Sequence, residues 1–157
     1  MIDMKKLRIA LSVLLALACA GLIFWFSAQS GEASAQMSSS VMNPISRLLI
    51  ALFGEAAHTV LRKCAHFILY AALMFLTCNA FFQARSEGRL SPYAPFVVSV
   101  LYAVSDEIHQ YFVPGRACRL YDIGVDALGC VVGGLCFWTV AKLWLRFRKQ
   151  SVTHTNL

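Results

Sequence analysis

Four runs of mostly apolar residues, 7–26, 64–82, 93–113 and 123–145, alternate with polar, Gly or Pro punctuation along the chain. A helix crossing a bilayer needs roughly 20 mostly apolar residues, and each run is about that long. The pattern predicts an all-α membrane protein: one domain over residues 1–157, a bundle of four transmembrane helices. A shorter apolar stretch, "NPISRLLIALF", falls between the first two runs. Its Ile45, Leu48, Leu49 and Leu52 recur at helical spacing with Pro44 at the start. It is too short to span, so an interfacial or re-entrant helix is expected over about 44–58. The polar, small "SAQSGEASAQMSSS" before it reads as a loop, and "SVTHTNL" at the end as a frayed tail.

The first run has a basic start, Lys5, Lys6 and Arg8, and an "ASA" at 33–35 that resembles a signal-peptide cleavage site. Its apolar core exceeds the roughly 7–15 residues of a signal, so a retained helix is expected. Lys and Arg placement sets the orientation. With the N-terminus inside, nine of them (Lys5, Lys6, Arg8, Arg85, Arg89, Lys142, Arg146, Arg148, Lys149) fall on the cytoplasmic side. Five (Arg47, Arg62, Lys63, Arg116, Arg119) fall outside. Both termini are expected in the cytoplasm of a plasma membrane crossed several times.

Composition agrees. The chain is 59% hydrophobic and 14% charged, against about a quarter charged in soluble domains, and its mean hydropathy is +0.64. The net charge of +6 flanks apolar runs instead of forming a basic block, so nucleic acid is not an expected partner. Most of the six cysteines lie inside apolar runs and act as small hydrophobes. Only Cys64 and Cys118 are placed to meet, and a disulfide framework is not expected. No spacing matches a metal-ligand motif, so no metal site is assigned and any cofactor is unknown.

The unusual residues fall at one end of the predicted bundle. Gln29 and Glu32 follow the first helix, and Arg62, Lys63 and His66 open the second. Asp106, Glu107, His109 and Gln110 close the third; Arg116, Arg119 and Asp122 occupy the next turn; Asp126 opens the fourth. A charge at the bilayer centre costs about 2.5–3.5 kcal/mol on insertion scales, so these groups must face one another, a wet pocket or a ligand. Glu55, His58, Arg62, His66 and Tyr70 form one stripe if the helix is continuous there. Ser99, Tyr102, Asp106, His109 and Val113 form another, with Glu107 pointing elsewhere. Gly129 and Gly133 make a small-xxx-small pair that allows close helix approach and would draw Asp126 toward a neighbour. Each feature has a plain structural reading too: Lys63 as a snorkelling cation, Asp106–His109 as an ion pair, "VPGR" as a tight turn.

These same residues carry a family resemblance. "FSAQSGEAS", "RKCAHFILYAAL", "LYAVSDEIHQYFVPGR" and the Asp122, Asp126, Gly129 pattern resemble the VanZ-like membrane proteins over roughly residues 20 to 135. The family usually has Ser-Ser-Gln after the first helix; Ala28 takes one Ser position here, so that hydroxyl is not required in this chain. The resemblance implies a bacterial inner-membrane protein of the cell envelope and a link to resistance against teicoplanin, a lipid-tailed glycopeptide. It supplies no reaction.

Two readings stay open. In the first, the pocket acts on or binds a lipid-linked phosphate or other envelope lipid, such as a lipid-linked cell-wall precursor. His66, Asp106, His109 and Asp126 would carry acid–base or nucleophilic chemistry. Gln29, Arg62, Lys63, Glu107, Gln110, Arg116 and Asp122 would bind substrate, with Arg suited to oxyanions. In the second, the protein is a non-catalytic binding or scaffold module and the charged cluster is a structural ion-pair network. Neither reading fixes an oligomeric state.

Overall fold

The computed structural model describes residues 3–41, 51–52, 54–85, 91 and 93–155, and every regular element among them is helical. Helix α1 spans Met4–Ser27; the Asp3 side chain caps it by accepting from the Lys5 amide at 2.9 Å. Helix α2 spans Gly31–Val41. A single 3₁₀ turn, Gly54–Ala56, leads into α3, Ala57–Ala84. Helix α4 spans Ala94–Tyr111, with Pro95 in its first turn where a missing N–H does no harm. Helix α5 is the longest, Leu120–Thr155.

Among the described residues, three helices are long and apolar enough to cross a membrane: α1, α3 and the Leu120–Arg148 part of α5. Helix α4 is not one of them, because its 18 residues include Asp106, Glu107, His109 and Gln110. Chain direction alternates, so the end of α1, the start of α3, the end of α4 and the start of α5 share one end of the molecule. Helix α3 is the centre of the packing, with its most extensive contact against α5 and the next against α1. The outer surface is oily: Leu14 and Leu17 on α1, Ile68 on α3 and Leu135 on α5 are each 60–64% exposed. Apolar exposure on that scale suits lipid and not water.

The core is built from Ile23, Tyr70, Leu73, Met74, Ala103, Cys130 and Phe137. Small residues set its tightest seam. A Cβ on Gly129 would lie 2.5 Å from the Phe67 carbonyl oxygen, and Gly133 leaves still less room against Ala71. The expected glycine pair therefore does hold α3 and α5 in backbone contact. Polar ties add direction: Tyr102 donates to the Ala20 carbonyl at 2.6 Å, and Asn79 donates to Ser12 at 3.0 Å.

Several expectations need correction. The polar "loop" after the first run contains α2. Its Ser30 hydroxyl accepts from the Ala33 amide at 3.2 Å, an N-terminal cap, and Glu32 sits in the first turn. The chain's composition there is small and polar but free of interior breakers. Most of the expected interfacial helix lies outside the described residues; its last part is the 3₁₀ turn and the start of α3. Gly54, at φ 57°, marks the break, so the helical stripe starts at His58 and excludes Glu55. Helix α3 begins seven residues earlier than its apolar run, because Arg62 and Lys63 do not stop a helix. Likewise the basic end of α5 stays helical to Thr155 instead of fraying at residue 151. All six cysteines are free, with Cys64 and Cys118 both exposed.

Candidate functional site

The polar residues do converge where four helix ends meet, but they form two separate sets. The first is closed. Asp106, 3% exposed, accepts on one carboxylate oxygen from the Ser27 hydroxyl at 2.8 Å and from the Gln110 amide at 3.0 Å. That amide also reaches Ser27 Oγ at 3.3 Å. The Gln110 carbonyl oxygen in turn accepts from Arg116 Nη1 at 3.1 Å. Arg116 spends its other donors on the end of α1: Nε to the Gln29 carbonyl at 2.8 Å and Nη2 to the Phe26 carbonyl at 2.9 Å. The guanidinium fork thus clamps two main-chain carbonyls at the end of α1, one of which also accepts the Gln29 amide at 3.3 Å. Burial, with Arg62 nearby, lowers the Arg116 pKa from its ordinary value, while Asp106 and Glu107 pull the other way.

Backbone geometry supports this set. Gly115, at φ 75°, turns the chain after Pro114. The Gly31 amide donates to the Pro114 carbonyl at 3.2 Å, and a Cβ on Gly31 would lie 2.6 Å from the Gly115 carbonyl oxygen. The "VPGR" turn therefore docks against the start of α2, and two glycines make room for it.

The second set is open. A shallow, open cleft lies between α3, α4 and the start of α5. Arg62, Lys63 and His66 line it from α3, Glu107 and Gln110 from α4, Asp122, Val125 and Asp126 from α5. Lys63 and Asp122 form an ion pair, and the Lys63 ammonium also stands 4.4 Å from the Tyr121 ring centroid. Glu107 accepts from the Arg119 amide at 3.1 Å, which ties α4 to the entry of α5. His66 Nδ1 faces Asp126 Oδ1 at 3.7 Å, longer than a formed hydrogen bond. Asp126 is 1% exposed, and its second oxygen has no hydrogen-bond partner among the described residues. Arg62, half-buried on the cleft wall, has no bonded partner among them either.

Between the two sets lies Tyr70, fully buried, with a hydroxyl that makes no hydrogen bond among the described residues yet sits in the field of both Asp106 and Asp126. The second oxygen of Asp106 is likewise buried and unpaired.

His109 belongs to neither set. Its ring stacks on Phe24 of α1 with centroids 4.5 Å apart, away from the cleft. Asp106 is bonded to Ser27 and Gln110, so the expected Asp106–His109 pair is not formed. A three-residue step along α4 turns His109 toward α1, whereas a one-residue step puts Glu107 toward α5. Gln29 is present through its backbone carbonyl, while its side chain donates to the Trp25 carbonyl at 3.1 Å. Sequence reasoning missed Ser27 as the partner of Asp106; its signal was a hydroxyl at the end of a long apolar helix.

The family model described as VanZ/LLP1 matches residues 12–144. No curated protein and no solved structure matches the chain.

Proposed function

This chain belongs to the VanZ/LLP1 family, and on that footing we propose that it is a multi-pass protein of a bacterial inner membrane whose cleft receives the polar head of an envelope lipid. A lipid-linked phosphate is the ligand class we favour. Arg62 supports this reading: it is the guanidinium on the cleft wall with no protein partner among the described residues. Guanidinium groups suit phosphate oxygens in a bidentate fashion. His66 beside Asp126 then forms the acid–base pair closest to that head, with Asp126 orienting the imidazole. Lys63 and Asp122 close the rim. Asp106, Gln110, Gln29 and Arg116 act through structure, holding the end of α1 against the cleft, and His109 takes no part.

The shallowness of the cleft speaks against enclosing a whole glycopeptide. Its enclosed space is about 10 Å³, room for one water-sized group, and the rest is open to the surface. Any effect on teicoplanin would then be indirect, through the lipids the drug meets at the surface.

We read α4 as a fourth span. Its 18 residues cover about 27 Å, close to the roughly 30 Å hydrocarbon core, and its polar face is buried by α1, α3 and α5. Four crossings put both basic ends on the cytoplasmic side and the cleft on the outer side.

The test is lipid identification by mass spectrometry on protein purified from membranes, wild type against Arg62→Ala. We expect a phosphate-headed lipid enriched with the wild type and lost from the variant, with both melting alike. The same lipid profile in both would end the proposal. The non-catalytic reading has one observation in its favour, the closed Ser27–Asp106–Gln110–Arg116 set. His66→Ala distinguishes the two: retained lipid with lost cellular function supports chemistry, and retained function supports binding alone.

A further inference from the structure

The charges on the cleft wall point to a more specific head than phosphate alone. Lys63 and Asp122 neutralise each other in their ion pair. What remains on the lining is one guanidinium, Arg62, against two carboxylates, Glu107 and Asp126, with His66 between. A phosphate monoester or pyrophosphate would bring two or more negative charges to a wall that sets two carboxyl groups against one guanidinium. A head carrying one phosphodiester charge and one ammonium fits instead, with its anion on Arg62 and its cation toward the acids. Asp126 gives an independent sign of a missing donor: it is 1% exposed, lines the cleft, and has an oxygen without a hydrogen-bond partner among the described residues. Glu107, equally buried, accepts only the Arg119 amide among the described residues.

The kind of cation follows from what is not on the wall. Quaternary ammonium groups are recognised by aromatic cages, and no Phe, Tyr or Trp stands among the described residues lining the cleft. Carboxylates serve a primary ammonium better, because its N–H groups donate charge-assisted hydrogen bonds that a trimethylammonium lacks. We propose that the cleft is a site for a zwitterionic phosphodiester head with a primary amine, as in an aminophospholipid: phosphate on Arg62, ammonium between Glu107 and Asp126. This deepens the proposed function and rests on it.

The experiment titrates delipidated protein in a maltoside detergent with short-chain diacyl lipids that share the phosphate and differ in the head. Phosphatidylethanolamine, phosphatidylcholine, phosphatidylglycerol and phosphatidic acid are compared by native mass spectrometry. At least tenfold tighter binding of phosphatidylethanolamine than of the other three is expected. Glu107→Gln should reduce that preference severalfold, and Asp126→Asn serves if the first variant does not accumulate. Phosphatidylglycerol or phosphatidic acid binding as well as phosphatidylethanolamine would overturn the zwitterion inference and leave the phosphate reading standing. Phosphatidylcholine binding equally would overturn the primary-amine assignment. No phospholipid binding at all would overturn the phosphate reading with it. Soluble O-phosphorylethanolamine binding as tightly as the lipid would assign the site to a free phosphate ester and overturn the lipid assignment.

Discussion

At the scale of single residues, the distinction that matters is between charges already spoken for and charges left open. Arg116 donates to three acceptors, two of them main-chain carbonyls at and just past the end of the first helix. Arg62 donates to none among the described residues. The sequence offers both as arginines near a helix end and cannot rank them, because a backbone carbonyl leaves no trace in residue identity. For the same reason Asp106 and Asp126 look alike in sequence, yet one is bonded by Ser27 and Gln110 and the other faces His66. Replacing Arg116 with Lys should therefore be costly despite conserving charge, since an ammonium cannot reproduce the fork. We expect a loss of about 1–3 kcal/mol, read as a lower midpoint of unfolding in detergent, with lipid copurification intact in the folded fraction. Ser27→Ala should act on the same set. A hydrogen bond to a charged group contributes about 1.5–3 kcal/mol, so a fall in melting temperature is expected and Ser27→Thr should recover part of it. An unchanged melting temperature for Ser27→Ala would contradict the closed arrangement.

At the scale of elements, the seam between α3 and α5 positions the cleft, because it fixes His66 against Asp126. Gly129 and Gly133 were legible as a small-residue pair, since helical spacing alone puts them on one face. What they face, the Phe67 and Ala71 carbonyls, was not. Gly129→Ala forces the two backbones apart and should destabilise by about 1–3 kcal/mol. Gly124→Ala is the control: no atom lies within 4 Å of its added methyl, and alanine favours the helix by about 0.5–1 kcal/mol. Opposite signs in thermal melts are the expected result; a common sign would mean that helix propensity and not packing governs both. Helix α2 was hidden by composition. Ser, Gly and Gln read as loop when counted, while the feature that makes a helix there is local, a serine cap with a glutamate in the first turn.

At the scale of the whole molecule, the oily runs made the class legible. The depth of each helix was less so, because hydropathy finds the lipid-facing stretch and not the helix that carries it. Helix α5 has 36 residues, or about 54 Å, well beyond a bilayer core of roughly 30 Å. In the proposed topology its far end, with Lys142, Arg146 and Arg148, projects past the hydrocarbon, where positive side chains orient a chain. Cys118 lies in the turn between α4 and α5, exposed and free, and reports directly on sidedness. In intact cells a membrane-impermeant maleimide should label a variant whose sole cysteine is Cys118. A variant whose sole cysteine is placed at Ser151 should react only after permeabilisation. Labelling of Ser151→Cys in intact cells would reverse the proposed topology.

The Arg116 clamp bears on what the first helix does for the fold. A signal peptidase acting at the small residues 33–35 would discard Phe26, Ser27 and Gln29 together. It would strip a buried aspartate of its hydroxyl donor and a half-buried guanidinium of two of its three acceptors, all in a single scission. The first helix is thus a wall of the polar cluster and not an appendage to it.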